Sequence, residues 1–266
     1  MSVLRKYIKR VLSEIKTSEY EELVDRSEMV SSHPIYSGRY QGREHFVKFP
    51  SNEIQTLNEF LAYRIYSLYD VKIPDSYHIV FNDEGRLGIS TETFEGGIYK
   101  GRRAQPKLRD SFNVNVGSMY YVDAMMANWD AAKNVLVNFD KFNNQGELDY
   151  RMIDPGGSLD FRARGERKGH LFGDEVGELE TYLDPKMTRG TGASYVYGGR
   201  DDQLAKQKFN AVSWSEIEEM INITREEVSD ELLQHNRQEL VSEFTNMCND
   251  VKLKLKSRYD YILKRI

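Results

Sequence analysis

The stretch from residue 128 to residue 158 constrains this chain more than any other. It opens with the polar loop Asn128-Trp129-Asp130-Ala131-Ala132-Lys133-Asn134, which follows an apolar stretch. Val135-Leu136-Val137 then reads as a strand, Asn143-Asn144-Gln145-Gly146 as a polar turn, and 150–153 as the returning strand. A hairpin over this range brings the chain back on itself, so Asn134 and Asp154 meet at its open end. In Met152-Ile153-Asp154-Pro155-Gly156-Gly157-Ser158, the aspartate follows apolar residues that fix its position, and two glycines leave room for a ligand. A carboxylate and an amide oxygen at one point, joined by phosphate oxygens, form the hard-oxygen set that magnesium prefers. Asp130 stands four residues before Asn134, where it can orient or deprotonate a hydroxyl nucleophile. Taken singly, each loop is an ordinary Asn/Asp turn sequence. Their convergence carries the argument.

The preceding part of the chain supplies a cation. Residues 22–94 alternate short strands with one helix. His45-Phe46-Val47-Lys48-Phe49 is strand-like, and Pro50-Ser51-Asn52 ends it, with Ser51 or Asn52 as helix N-cap. The helix runs over 53–69 on the apolar stripe Ile54, Leu57, Leu61, Ile65, Leu68. Strands at 77–81 and 87–94 flank the turn Asn82-Asp83-Glu84-Gly85. Lys48 shares a strand face with Phe46, and Glu59 lies eleven residues later inside the helix. Either residue alone reads as solvated. A strand lysine held by a helix glutamate, however, presents a fixed cation to nucleotide phosphates.

Gly96-Gly97 reads as a hinge, dividing the chain into 1–96, with a sheet and one helix, and a mainly helical 97–266. In the second part, 114–127 is a buried helix, 189–199 a Gly/Tyr/Ser-rich loop, and 213–266 two or three helices. The first of these opens on the capping box Ser213-Trp214-Ser215-Glu216. The expected class is α+β.

Composition narrows the function classes. At 266 residues the chain forms one large domain or two lobes. With 39% apolar and 30% charged residues, it has no run near the ~20 apolar residues that span a bilayer. A single cysteine, Cys248, excludes an internal disulfide framework and a Cys-rich zinc site, and fits a reducing, cytoplasmic setting. A net charge of -5 argues against a globally basic nucleic-acid binder. Residues 1–16 read as a basic amphipathic helix docked on its own domain; they lack the apolar core of an export signal. The five histidines show no metal-ligand spacing, and Cys248 and Trp214 read as packed. Arg162, Arg164, Arg167 and Lys168 cluster just after Asp154. They read either as a solvated charge run or as a seat for a phosphorylated or polyanionic ligand. Arg102, Arg103, Lys107 and Arg109 form a similar, weaker cluster.

The order lysine strand, helix glutamate, Asp-x-x-x-Asn, hairpin, aspartate resembles the protein-kinase-like superfamily. Within it the chain is similar to the atypical branch of HipA-type and phosphatidylinositol kinase-like proteins. It looks most like HipA-like domains of bacterial and phage proteins. These carry an Asn-Trp-Asp loop, here 128–130, and an Ile-Asp-x-Gly-Gly segment continuing to Arg-Ala-x-Gly, here 153–165. Residues 34–50 and 58–74 resemble that branch's lysine strand and helix, so the likeness covers roughly residues 30 to 230.

The resemblance implies a bilobal kinase-like fold and phosphoryl transfer from ATP with Mg²⁺. The acceptor it implies is a Ser/Thr hydroxyl of a protein substrate, in a cytoplasm or in a host cytosol reached as a secreted effector. Lys48 contacts the phosphates, Glu59 positions it, Asp130 acts on the acceptor hydroxyl, and Asn134 and Asp154 hold Mg²⁺. Gly38, Glu92 and Phe94 border the nucleotide, with adenine against the linker at 92–95. Two departures stand out. The Asp130–Asn134 spacing is four where the usual kinase loop has five. No Gly-x-Gly-x-x-Gly loop precedes Lys48; Ser31-Ser32-His33 and Gly38 are the nearby candidates. AMP transfer, a catalytically silent nucleotide-binding pseudokinase, and a lipid or small-molecule kinase stay open as alternatives.

Overall fold

The computed structural model describes residues 15–26, 33–98, 106–141, 148–162, 165–189 and 192–266. The first part of the chain builds a sheet from β1 (Ile15–Lys16), β2 (Glu21–Asp25), β3 (Ile35–Tyr40) and β4 (Arg43–Lys48). Helix α1 (Glu53–Leu68) follows, then β5 (Tyr77–Phe81) and β6 (Leu87–Glu92). The strand order is β1-β5-β6-β4-β3-β2, antiparallel throughout except for β1 on β5. β3 and β4 are joined through Gln41-Gly42, both at positive φ, the geometry of a tight hairpin whose twist matches its strands.

Register fixes what each face carries. Lys48 lies opposite Ile89 and Phe46 opposite Thr91, while Val47 pairs with Ser90 and His45 with Glu92. Because side chains alternate along a strand, Phe46, Lys48, Ile89 and Thr91 share the face on which α1 packs. His45, Val47, Ser90 and Glu92 share the other. On that outer face Tyr20, Tyr40, Val47, Phe49 and Val80 form a small satellite core. The Tyr20 hydroxyl donates to Ser90 Oγ at 2.6 Å, and burial, aided by His78, lowers the pKa of His45 to about 4.

α1 begins where the Asn52 side chain accepts from the Ile54 N–H at 3.1 Å. Its residues from Ile54 to Tyr66 are all buried, so the helix is covered on every side. The sheet covers one side and the C-terminal helices another. Arg64 pairs with Glu227 at 3.0 Å, and Arg237 grips both Glu53 carboxylate oxygens at 2.6 and 3.1 Å. The ring of His235 stacks on Phe81 at 3.7 Å.

The second part opens with β7 (Gly97–Ile98), which pairs with β8 (Val135–Val137), itself paired with β9 (Tyr150–Met152). Between β7 and β8 lie α2 (Pro106–Gly117) and α3 (Tyr120–Met125). After β9 come α4 (Glu178–Thr181), α5 (Ala193–Gly198), α6 (Asp202–Asn210), α7 (Trp214–Gln234) and α8 (Gln238–Leu263). The capping box at Ser213 is present: Ser213 N–H donates to Glu216 Oε2 and Glu216 N–H to Ser213 Oγ.

Three expectations are corrected. The continuous helix over 114–127 is broken at Ser118-Met119, where Ser118 Oγ donates to the Asn115 carbonyl at 2.6 Å; such a side-chain bond competes with the helical ladder. Ile15-Lys16 is a strand edge and not helix, while residues 1–14 lie outside the described residues. The loop at 189–199 contains α5. The hairpin's polar turn at 143–146 also lies outside the described residues. Cys248 is buried, and burial pushes its thiol up to about 12.

Candidate active site

The site begins with Lys48, at the end of β4. Its Nζ lies 2.7 Å from Glu59 Oε2 and 2.7 Å from Asp154 Oδ1. The strand places the lysine on the α1 face, the second turn of α1 places Glu59 beneath it, and the end of the β8–β9 hairpin brings Asp154 from 106 residues away. Glu59 is buried, whereas the Asp154 side chain is half exposed. Burial works to lower the Lys48 pKa, but the two carboxylates outweigh it and raise it, so the lysine stays charged. Burial pushes Glu59 up to about 7 against the pull of Lys48. Lys48 holds Asp154 below the usual carboxylate range.

Asp154 sits at φ 51°, ψ 58°, a left-handed conformation uncommon for a non-glycine residue and one that clusters at functional sites. The fold supports it from α1: its backbone N–H donates to the Tyr63 hydroxyl at 3.1 Å. A β-carbon at Gly156 would lie 2.7 Å from Glu59 Oε2, so the first glycine after Asp154-Pro155 is what lets the turn close over the buried glutamate. Asn134 Nδ2 donates to the Asp154 carbonyl at 3.2 Å, and Ile153 N–H to the Asn134 carbonyl at 2.8 Å. The expected meeting of Asn134 and Asp154 is therefore present, side by side at the hairpin's open end.

Asp130 lies in the same turn. Its carbonyl accepts from the N–H groups of Lys133 and Asn134, both at 2.9 Å. Its half-buried carboxylate has no hydrogen-bond or ion-pair partner among the described residues.

Several buried polar groups below these loops leave little trace in the sequence. Asp123, fully buried on α3, accepts from the hydroxyls of Tyr66 at 2.8 Å and Tyr197 at 2.7 Å. Asn128 Nδ2 donates to the same Tyr66 hydroxyl at 2.9 Å. Burial pushes Asp123 up to about 7. Arg258, wholly buried on α8, donates to the carbonyls of Ala124, Met125, Gly173 and Glu175 and pairs with Glu178 at 2.7 Å. It thus holds the segment that leads into Asn128-Trp129-Asp130. A charged residue inside an apolar helix pattern is the only sequence signal such an arginine leaves.

Other expected site residues are placed differently. Gly38 is in the middle of β3, where a β-carbon would meet Leu23 Cδ1 at 3.1 Å and the Glu21 carbonyl at 3.3 Å; it serves the packing of β2 on β3. Of the other candidates for that loop, Ser31 and Ser32 lie outside the described residues. Glu92 points to the outer face and pairs with Arg43 at 2.9 Å, so its side chain does not border the cleft face. Thr91 does. Phe94 lies under the Arg151 guanidinium, 5.2 Å from the ring centroid. Two residues of the cationic cluster after Asp154 are engaged within the fold. Arg167 pairs with Asp160 at 2.5 Å and lies 3.5 Å from Glu243, and Lys168 is buried between backbone carbonyls. Arg162 is exposed, and Arg164 lies outside the described residues, as do Arg102 and Arg103. Lys168 is therefore not exposed to an external anion, whereas Arg162 is.

No protein-family model matches the chain, and no curated protein matches it in sequence. Among solved structures, the Helicobacter pylori proinflammatory kinase CtkA superposes with TM-score 0.53 at 12% identity, over 95% of this chain and 99% of that one. WaaP in complex with acyl carrier protein gives TM-score 0.39 at 14% identity over 84% and 91%. A Plasmodium vivax ethanolamine kinase gives 0.37 at 10% over 93% and 84%. The first of these likenesses, together with the antiparallel sheet and the helical second part, defines the fold. It is α+β and protein-kinase-like, with two lobes.

Proposed function

We propose that this chain is an atypical, HipA-like kinase that transfers the γ-phosphoryl group of Mg-ATP to a Ser/Thr hydroxyl of a protein substrate. One observation carries the reading: Lys48 stands 2.7 Å from both Glu59 and Asp154, with Asn134 bonded to the Asp154 backbone. A kinase-like fold supports it.

Lys48, kept charged by its two carboxylates, binds the α/β-phosphates. Glu59 fixes the lysine's position, and itself lies on a helix packed on all sides. The adenine lies against the linker at 92–95, using its backbone and the Thr91 side of the sheet. Asp130, whose carboxylate has no hydrogen-bond or ion-pair partner among the described residues, accepts the proton of the attacking hydroxyl. Asp154 Oδ and the Asn134 amide oxygen are the hard oxygens that would hold Mg²⁺, and the Asn134 amide nitrogen, already turned to the Asp154 carbonyl, leaves its oxygen for that task. Bound Mg²⁺ neutralises charge on the phosphates and orients them. Among the described residues, no group of three His, Cys, Asp or Glu could hold a metal ion. Such a site works by positioning and electrostatics.

Labelled ATP tests this reading. Label from the γ-position in a protein product is the expected result. Label from the α-position would instead mean AMP transfer, and binding without any transfer would mean a pseudokinase.

A further inference from the structure

Lys168 is buried, and its Nζ donates to the Ala127 carbonyl at 2.7 Å and the Gly157 carbonyl at 2.6 Å. These two carbonyls belong to different loops. Ala127 directly precedes Asn128-Trp129-Asp130, and Gly157 follows Asp154 in the Pro155-Gly156-Gly157 turn. Both loops depart from regular structure around the contact: Ala127 is at φ 51°, Asp154 at 51° and Leu159 at 54°. A backbone bond from Leu159 N–H to the Met126 carbonyl at 2.7 Å runs beside it, and Lys168 N–H is itself fixed to the Asp160 carbonyl at 2.7 Å. The two loops are thus tied at the mouth by Asn134 and Asp154, and in depth by Lys168 and Leu159.

We propose that Lys168 is a positioning residue whose ammonium sets the separation of the Asp130 loop from the Asp154 loop. The inference rests on the phosphotransfer reading and deepens it. A compact ammonium with three donors draws carbonyls from two directions onto one atom, whereas a planar guanidinium spreads its donors over three nitrogens in a fixed fork. The requirement is sharp here because the Asp130–Asn134 segment is a single tight turn, with Asn134 N–H bonded to both the Asp130 and Ala131 carbonyls. It has no slack with which to correct a shifted base. The charged groups that act on the amine through space are the carboxylates of Glu178, Asp160 and Asp130 and the guanidinium of Arg258. Burial acts to strip its charge, lowering its pKa to about 7. Placing a lysine in such surroundings fits a geometric task better than a solvating one.

The test compares Lys168→Met and Lys168→Arg with the wild-type chain in Mg-ATP turnover, alongside melting curves. For Lys168→Met the expected result is a KM for ATP within about 3-fold of wild type and a kcat lower by about 10²-fold, with Lys168→Arg between the two. A kcat within about 3-fold of wild type in Lys168→Met overturns the proposal, as does a loss carried by KM alone. If Lys168→Met does not fold, Lys168→Arg decides. A lowered kcat at unchanged KM supports the positioning role, and wild-type values for both constants refute it. Failure of the underlying reading shows separately, since a wild-type protein that does not turn over Mg-ATP refutes phosphotransfer before any variant is compared.

Discussion

Lys48 and Lys168 both lie within the fold and both bridge elements distant in sequence, but their partners differ. Lys48 sits between two carboxylates, Glu59 and Asp154, which raise its pKa and keep it cationic. Lys168 sits between two backbone carbonyls, where burial outweighs the carboxylates that act on it, and its pKa falls to about 7. The first arrangement holds a charge where an anionic ligand can reach it, since Asp154 is half exposed. The second uses an amine as a fastener, sealed from solvent. A buried lysine is therefore informative only with its acceptors: carboxylates that a metal or phosphate can share point to binding, and carbonyls of two loops point to loop geometry.

The largest effects should come from breaking the carboxylate side. Asp154→Ala removes both a lysine partner and the proposed metal ligand, and turnover should fall by at least about 10³-fold, as should wild-type turnover in excess EDTA. Both are read in a steady-state ATP assay. Lys48→Met should lower kcat/KM by about 10²–10³-fold, with the folded state retained by circular dichroism.

On the carbonyl side the first effect is on stability. Arg258→Met leaves Glu178 buried without its ion-pair partner and strips four carbonyls of their donor, and should cost about 3–5 kcal/mol in chemical denaturation. Asp123 gives a pH signature. Its folded pKa is raised to about 7, so the stability it contributes is complete below its unfolded value and is lost as pH rises through 7. The wild-type urea midpoint should therefore be higher at about pH 5 than at about pH 8, and Asp123→Asn should flatten that difference. Arg237→Ala, which removes the partly exposed link from the start of α8 to Glu53, should cost only about 1 kcal/mol.

Much of the Lys48 side was legible in the sequence. Strand alternation put Lys48 and Phe46 on one face, the apolar stripe located the helix carrying Glu59, and a hairpin between Asn134 and Asp154 required their return to one point. These features depend on short-range periodicity. The fastening side was not legible. Lys168 reaches carbonyls 41 and 11 residues away, and Arg258 reaches carbonyls more than 80 residues away. Backbone acceptors leave no mark in the sequence, so Lys168 reads there like Arg162, Arg164 and Arg167, as part of a solvated charge run or a polyanion seat. The facing of Gly38 and Glu92 is hidden in the sequence for a related reason. Their roles depend on register, and only the pairing of Glu92 with His45 and the approach of Leu23 to Gly38 show which way each position faces.

The account turns on a magnesium nucleotide held between Lys48, Asn134 and Asp154. Calorimetric titration of ATP into the wild-type chain and into Asp154→Ala, with and without Mg²⁺, tests this directly. The predicted result is binding to the wild-type chain that strengthens when Mg²⁺ is present, with that Mg²⁺ dependence lost in Asp154→Ala. Absence of Mg²⁺-dependent binding in the wild-type chain, or its full retention in the variant, would contradict the account.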